Sequence, residues 1–300
     1  CRSAPLTWPR GSRKASRNEA VVTTPQHDQR APHNNDKTDG DIQTMTYCVG
    51  MLVAEGLVMM ADTRTNAGVD NISTYRKLRI MDTAPDRVMV ISSAGNLSVT
   101  QATVNRVLEG RMIPGDDTET RETLDTVPSL FRAAQLIGEA LRESKKAIDA
   151  GMTGKDVATD VSLLFGGSIG GRKPRLFLIY GEGNFIECQP DTPYLQIGER
   201  KYGKPILDRM IRFDTPLAEA VKVALISFSS TMRSNLAVGL PIDLVTVRSG
   251  VSAPELDHRI TAEDAYYREL NERWSNALRL AAAAIPLPPY GDDPTQGSLV

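Results

Sequence analysis

The chain has 300 residues, of which 41% are hydrophobic and 24% are charged, as in an ordinary globular protein. Its net charge of -2 gives no reason to expect nucleic acid or an anionic membrane as a partner, and no apolar run approaches the roughly 18–20 residues of a membrane-spanning helix. The three cysteines form no Cys-x-x-Cys pair, so no disulfide framework, metal site or cofactor is indicated. A reducing compartment, the cytoplasm, is therefore expected.

Residues 1–44 are polar, rich in Pro, Asn and Arg, and poor in aliphatic side chains, which predicts a disordered leader. Residue 1 is a cysteine, and Met45 is the first methionine. Three interpretations follow. The leader is translated sequence upstream of a true start at Met45, or a pro-segment removed on maturation, or the start of a lipoprotein whose Cys1 follows a removed signal peptide.

From residue 46 the hydrophobic pattern is continuous. Two β-prone runs joined by Glu55-Gly56 predict a β-hairpin, and Ser93-Ala94-Gly95 is predicted to be a turn that closes a later strand. Helical spacing then begins at Leu97. The elements predicted in this half are strands at 46–53, 57–62, 77–82 and 87–92, helices at 97–109 and 128–150, and a polar loop at 111–126.

The second half of the chain is also predicted to contain both strands and helices. The glycine-rich run at 166–171 lacks a following Lys-Ser/Thr pair and helix, so it is predicted to be a hairpin connection rather than a phosphate loop. Thr215-Pro216 begins a helix. The predicted elements are strands at 160–165, 175–180, 185–188 and 242–248, helices at 215–232 and 261–284, and a flexible tail at 291–300. Two groups of strands, each followed by helices, indicate an α+β fold with mainly antiparallel sheets between helix layers.

Histidine is too scarce to supply an ordinary catalytic base. His27 and His33 lie in the leader, and His258 is predicted to be a solvated loop residue. An N-terminal amine has a pKa of roughly 7.7–8.0 and can accept the proton of a hydroxyl on its own residue. Our central hypothesis is that Thr46 is the working N-terminus, with its hydroxyl as nucleophile and its α-amine as base.

Such a site needs a nearby cation, a partner for that cation and an oxyanion hole. Lys77 is the candidate cation, because it would hold the pKa of the amine down. Asp62, at the end of the neighbouring strand, is its natural partner. Backbone N–H groups near Gly95 are the candidate oxyanion donors.

The residues Thr46, Asp62, Lys77 and Gly95 lie, in this order, within segments of distinctive sequence. The segments are Met45-Thr46-Tyr47-Cys48-Val49-Gly50, Ala61-Asp62-Thr63-Arg64-Thr65-Asn66-Ala67-Gly68-Val69-Asp70, Tyr75-Arg76-Lys77-Leu78, Ser92-Ser93-Ala94-Gly95-Asn96-Leu97, Ser234-Asn235-Leu236 and Val238-Gly239-Leu240-Pro241-Ile242-Asp243-Leu244. They resemble the proteasome β-subunit superfamily of N-terminal-nucleophile hydrolases, and in particular its bacterial Anbu (ancestral beta subunit) family. The similarity extends over about residues 45–290.

The resemblance implies a four-layer αββα sandwich in one domain, residues 45–290. It implies a threonine peptidase with Thr46 as nucleophile, Asp62 and Lys77 as the charge-tuning pair, and Gly95 as oxyanion donor. Peptides or unfolded proteins would be the substrates. Self-association into a ring or an open helical oligomer is also implied, and the sequence identifies no unfoldase partner.

Several residues depart from the proteasome pattern. Met45 stands where proteasome subunits usually have glycine, which fits removal by methionine aminopeptidase. Glu199 follows Ile197-Gly198 where a serine is usual, and Ser234 and Ala237 align with an Asp and a Ser. These changes keep two alternatives open: a weakly active or inactive oligomeric scaffold, and a small-molecule amidase.

Overall fold

The computed structural model describes residues 46–66, 72–112, 121–151, 158–288 and 290. The chain divides into two units, Cys1–Gly40 and Asp41–Val300, and every described residue belongs to the second. The predicted leader at 1–44, Met45 and the predicted tail at 291–300 therefore lie outside the described residues. Within the described ranges, no helix combines the length and apolar character needed to cross a bilayer.

The described residues form fourteen strands and five helices. The strands are β1 (Tyr47–Val53), β2 (Gly56–Asp62), β3 (Arg64–Asn66), β4 (Ile72–Thr74), β5 (Leu78–Ile80), β6 (Arg87–Gly95), β7 (Arg111–Met112), β8 (Arg121–Glu122), β9 (Val161–Ile169), β10 (Arg175–Tyr180), β11 (Phe185–Glu187), β12 (Tyr194–Gly198), β13 (Ile242–Arg248) and β14 (Leu256–Ile260). The helices are α1 (Leu97–Glu109), α2 (Leu130–Gly151), α3 (Lys204–Met210), α4 (Leu217–Ser234) and α5 (Ala265–Ala283).

Two five-stranded antiparallel sheets organise the molecule. The first has the order β12-β1-β2-β13-β14, and the second has the order β11-β10-β9-β6-β5. The remaining strands form the small pairs β3–β4 and β7–β8. In the first sheet β1 and β2 are central, so the hairpin that the sequence predicted lies between two further strands. The end of β1 that follows Thr46 is therefore held from both sides.

Three clusters of buried apolar side chains explain why the central strands are hydrophobic at almost every position. One cluster joins the first sheet to α3, α4 and α5, and in it the rings of Tyr47 and Phe228 lie 4.5 Å apart. A second joins the second sheet to α1 and α2. The third contains residues of both sheets, including Leu57 and Leu176. Because successive strand residues point to opposite faces, Tyr47 belongs to the first cluster and Cys48 to the third.

The sequence located most long elements correctly. The bounds predicted for α1, β10 and β13 are confirmed residue for residue. The prediction of a turn at Ser93-Ala94-Gly95 is wrong, because β6 continues through these residues and pairs with β9. The glycine-rich run at 166–171 was predicted to be a hairpin connection, but most of it belongs to β9, which continues to Ile169.

The elements that the sequence missed are short or lack a clean hydrophobic period. Strand β14, which holds His258, was predicted to be a loop, and four of its five residues are exposed. The predicted loop at 111–126 contains β7 and β8, and its residues 113–120 lie outside the described residues. Partner strands and helices stabilise these short segments, which a single-sequence pattern does not show. The missed elements are β3, β4, β7, β8, β12, β14 and α3.

The last helix differs from the other long helices in how little of it is covered. Only Tyr267 and Leu270 are buried among the 19 residues of α5. Near its end, Leu278 is 51% exposed and Leu280 is 72% exposed, and the apolar residues that follow are also exposed. This end of α5 therefore presents apolar side chains that the other described residues do not cover.

Candidate active site

Thr46 lies directly before β1 and is only 8% exposed. Its carbonyl oxygen accepts a hydrogen bond from the Glu199 N–H at 2.7 Å. On the other side of the same peptide, the Tyr47 N–H donates to Asp62 Oδ1 at 2.9 Å. The peptide that joins residues 46 and 47 is therefore fixed by two hydrogen bonds from different parts of the chain.

Asp62 is the last residue of β2 and is completely buried. Its carboxylate accepts from three donors: Tyr47 N, Arg64 N at 3.2 Å and Lys77 Nζ at 2.8 Å. Burial raises the pKa of Asp62, and the Lys77 ammonium and the two backbone N–H groups oppose that rise. A charged carboxylate at this depth depends on these donors, because an unpaired buried charge is strongly unfavourable.

Lys77 immediately precedes β5 and is 7% exposed. Its Nζ also donates to the Arg64 carbonyl at 2.6 Å, and its own carbonyl accepts from the Ser93 N–H at 3.2 Å. The ammonium is thus two hydrogen bonds away from the Tyr47 nitrogen, through Asp62. The fold brings the predicted residues Thr46, Asp62 and Lys77 into one buried corner, although they lie on three separate segments.

Gly95 is the last residue of β6 and has a φ of 106°, in the region that favours glycine. A Cβ at this position would lie 2.1 Å from the Asp160 carbonyl oxygen, so no other residue fits without a backbone shift. Residues two apart on a strand turn their N–H groups to the same side. The Ser93 N–H points to Lys77, so we expect the Gly95 N–H to face the same edge.

Two further buried polar residues, Glu199 and Asn235, lie at this corner, and the sequence did not predict their contact. The Glu199 carboxylate accepts from the Lys201 N–H at 2.8 Å and from Asn235 Nδ2 at 2.9 Å. Glu199 is 7% exposed and Asn235 is 5% exposed. Glu199 was noted only as a departure from a family pattern. The sequence offers no signal that pairs it with a residue 36 positions away.

The two residues that family alignment suggested in this loop are less involved. Ser234 is exposed at the end of α4, and Ala237 is half-buried and carries no polar group. The Asn235 side chain, between them, points into the corner instead. The loop that carries Ser234 and Ala237 therefore contributes the Asn235 side chain to this corner.

Two other groups of the described chain that could act as nucleophile or base, Cys48 and His258, are poorly suited to either role. Cys48 Sγ lies beside the Ser93 carbonyl, and burial raises the pKa of its thiol to about 12, which keeps it protonated and unreactive at neutral pH. His258 is exposed on β14 beside Asp264. Among the described residues, no cluster of three or more His, Cys, Asp or Glu side chains is arranged to hold a metal ion.

Solved structures of the same shape cover most of the described chain. A mutant of Anbu from Hyphomicrobium sp. strain MC1 is 50% identical, with 81% of this chain and 98% of that chain covered and a TM-score of 0.72. Anbu (ancestral beta-subunit) from Yersinia bercovieri is 43% identical, with coverage of 82% and 100% and a TM-score of 0.73. Anbu from Pseudomonas aeruginosa, solved as a helical assembly, is 44% identical, with coverage of 81% and 98% and a TM-score of 0.73.

A scan against protein-family models and a search of curated proteins gave no match.

Proposed function

The chain belongs to the Anbu (ancestral beta-subunit) family of proteasome-like proteins, and on that premise we propose that it is an amide hydrolase of the N-terminal-threonine type. Thr46 is the nucleophile once the residues before it have been removed. Peptides or unfolded proteins are the proposed substrates. One observation carries the proposal: a fully buried Asp62 links the Tyr47 N–H, next to Thr46, to the Lys77 ammonium.

In the proposed reaction the free α-amine of Thr46 takes the proton from its own Oγ as Oγ attacks the substrate carbonyl carbon. The negative charge that develops on the carbonyl oxygen is stabilised by the Gly95 N–H. The protonated α-amine of Thr46 then gives its proton to the departing amine of the substrate, and an ester joins the rest of the substrate to Thr46 Oγ. Water attacks this ester with the amine again as proton acceptor, and Thr46 is released unchanged.

Lys77 supports this reaction through its charge. A cation near the α-amine disfavours a second positive charge there, so it lowers the pKa of the amine and increases the share of the neutral form. The same cation also favours an Oγ that is losing its proton. Asp62 holds Lys77 in place and, through the Tyr47 N–H, connects it to the strand that begins after the nucleophile.

We propose that the fold is the four-layer αββα sandwich that the family resemblance implies. The three apolar clusters support this arrangement. One joins α3, α4 and α5 to the first sheet, one contains both sheets, and one joins the second sheet to α1 and α2. In such a sandwich the corner with Thr46, Asp62 and Lys77 opens at one end of the space between the sheets.

We also propose that the protein self-associates, as the helical assembly of the Pseudomonas aeruginosa relative does. The bare apolar end of α5 supports this, because large exposed apolar patches on soluble proteins usually mark contact surfaces. A cavity of about 570 Å³, lined by residues that include Ile226, Leu270 and Trp274, lies next to the same helix. Both features are outside the Thr46 corner.

A specific observation keeps the scaffold alternative in view. Ala237 brings no hydroxyl to the loop after α4, where the family resemblance implies a serine, and Ser234 stands where it implies an aspartate. A scaffold with a weakened site, or an amidase for small substrates, is the function that these two replacements favour.

The decisive experiment uses protein prepared with Thr46 as its first residue, which we call the mature protein. It is treated with an epoxyketone probe and with a panel of peptides and small amides, and labelling is located by mass spectrometry. We expect labelling at Thr46 in the wild type and in Thr46→Ser, which keeps the hydroxyl, and none in Thr46→Ala. A chain that keeps residues 1–45 should be inert, because its Thr46 nitrogen is an amide.

The outcomes separate the three candidates. Labelling with peptide cleavage supports the peptidase, and labelling with cleavage of small amides alone supports the amidase. Wild-type protein that is as inert as Thr46→Ala, with a verified N-terminus at Thr46, rejects hydrolysis and leaves the scaffold. Full activity in the chain that keeps residues 1–45 would reject the amine as base.

A further inference from the structure

We propose that Glu199 and Asn235 are positioning residues, which aim the Thr46 amine and hydroxyl from the side opposite Asp62. The inference rests on the proposed function, since it names two residues that this reaction requires. It is based on a series of hydrogen bonds that begins at the Thr46 carbonyl and returns to the residues that follow Asp62.

The first part of this chain holds Thr46 through its backbone. Thr46 O accepts from the Glu199 N–H at 2.7 Å, and this approach requires Gly198, where a Cβ would lie 2.1 Å from the same oxygen. The Glu199 side chain then bridges its own turn to the loop after α4, through Lys201 N at 2.8 Å and Asn235 Nδ2 at 2.9 Å. Both carboxylate oxygens are thus committed to N–H donors.

Both polar atoms of the Asn235 side chain form hydrogen bonds within the protein. Its Nδ2 donates to Glu199, and its Oδ1 accepts from the Ala237 N–H at 3.0 Å. Its backbone N–H donates to the Thr231 carbonyl at 2.8 Å, which anchors it to the last turn of α4. The orientation of the amide is therefore set on both sides, so it can hold the Glu199 carboxylate in one place.

The loop at 235–241 carries the connection back to the charged pair. The Leu236 carbonyl accepts from Arg64 Nη1 at 2.7 Å, and the Pro241 carbonyl accepts from Thr63 N and Thr63 Oγ1 at 3.0 and 2.8 Å. Thr63 and Arg64 directly follow Asp62, whose carboxylate binds the Tyr47 N–H. The hydrogen bonds thus form a closed circuit around the peptide between Thr46 and Tyr47.

This circuit matters for chemistry because the proposed base belongs to the main chain. An imidazole or carboxylate base is aimed by its side-chain rotamer, but an α-amine is aimed only by the backbone of its own residue. The peptide that follows Thr46 has two anchors, the Glu199 N–H on the Thr46 carbonyl and the Asp62 carboxylate on the Tyr47 N–H. A loss of about 100-fold in rate for a displacement of about 1 Å is the expected scale of the effect.

The test exchanges donor and acceptor within the pair. Glu199→Gln places an NH₂ group against one of two N–H donors, and Asn235→Asp places a second carboxylate beside the first. The double variant Glu199→Gln/Asn235→Asp restores one donor and one acceptor and moves the negative charge from 199 to 235. Ser234→Ala, which removes an exposed neighbouring hydroxyl, is the matched control.

Two readouts are taken on the mature protein: the rate of Thr46 labelling by the epoxyketone probe across pH 6 to 9, and hydrogen exchange at the Glu199 and Tyr47 amides. We expect each single variant to label on the order of 100 times more slowly and to exchange both amides faster. The double variant should recover labelling to within about threefold of wild type, with an unchanged pH profile, and recover amide protection. Ser234→Ala should match wild type in both readouts.

Either of two results would overturn the inference. If Glu199→Gln labels like wild type, the carboxylate–amide contact does not position Thr46. If the double variant stays as slow as the single variants while its amides are protected, the carboxylate at 199 acts in another way. A wild-type protein without any labelling would reject the proposed function instead, and hydrogen exchange alone would then decide whether the pair holds Thr46.

Discussion

Asp62 and Lys77 in the buried corner, and Arg132 with Glu122 on the surface of the α2 side, are both close ion pairs of one acid and one base. Their surroundings are opposite. The Lys77 and Asp62 side chains are 7% and 0% exposed, whereas those of Arg132 and Glu122 are 29% and 17% exposed. The surface pair also shares its charges with a second glutamate, because Arg132 Nη1 lies 3.3 Å from Glu139.

The comparison shows that burial, and not the pairing itself, sets what an ion pair can do. On the surface, the bond to Glu122 raises the pKa of Arg132, and water and further charges can replace either partner. In the corner, burial raises the pKa of Asp62 and the Lys77 ammonium opposes that rise, so the charge of the carboxylate depends on Lys77. A buried charge that water does not screen acts strongly on an adjacent amine.

The largest expected effect comes from removing the buried cation alone. Lys77→Met leaves the Asp62 carboxylate buried with two backbone donors, and breaking a buried pair in this way costs about 3–5 kcal/mol. We expect the free energy of unfolding in urea at pH 8 to fall by that amount and Thr46 labelling to be lost. Unchanged labelling would remove Lys77 from the mechanism.

The same variant should show a dependence on pH that sharpens the contrast. Without Lys77, burial raises the pKa of Asp62 further, so the folded state binds the proton more tightly than the unfolded state, whose pKa is about 3.9. The variant is then relatively most stable below pH 4 and loses stability as the pH rises through the folded-state pKa. Urea unfolding at several values between pH 4 and pH 8 should therefore show a deficit, relative to wild type, that grows with pH.

A smaller effect on stability is expected when both charges of the buried pair are removed. Asp62→Asn/Lys77→Met keeps an oxygen that can accept from the Tyr47 N–H and leaves no unpaired charge. Neutral replacements of buried ion pairs are often tolerated, so we expect recovery of more than about half of the stability lost in Lys77→Met. Labelling of Thr46 should stay absent. Recovery of labelling together with stability would mean that the pair serves the fold alone.

The smallest expected effect is at the surface pair. Arg132→Ala removes a partner that lies between Glu122 and Glu139, both of which reach solvent. We expect a loss of about 0.2–1 kcal/mol in the free energy of unfolding, reduced by added salt, and no change in the rate of labelling. A loss as large as that of Lys77→Met would contradict the importance that we assign to burial.

The sequence was informative where one segment by itself carries the signal. The apolar runs of β1 and β2 and their Glu55-Gly56 turn predicted the hairpin, and the hairpin register placed Asp62 beside the start of β1. The periodicity of α1 predicted that helix, and in the structure Asn96 caps its first turn. In these elements the local pattern and the tertiary packing agree.

The sequence was uninformative where a residue is defined by a distant partner. Glu199 and Asn235 become a unit only when the end of β12 meets the end of α4. Strand β14 is stabilised by its ladder with β13 rather than by its own composition. The bare end of α5 was also not predicted, because a helical period does not show which of its faces will remain uncovered.

Gly198 offers a way to disable the proposed reaction without deleting any of its chemical groups. Its φ of 79° and its position against Thr46 O mean that even a methyl group would force the two strands apart at that point. An alanine there would leave the alcohol, the amine and the charged pair all present but out of alignment. Because Gly198 is not among the residues that line the cavity beside α5, such a protein would be a suitable inert variant for studying the proposed assembly separately from the proposed reaction.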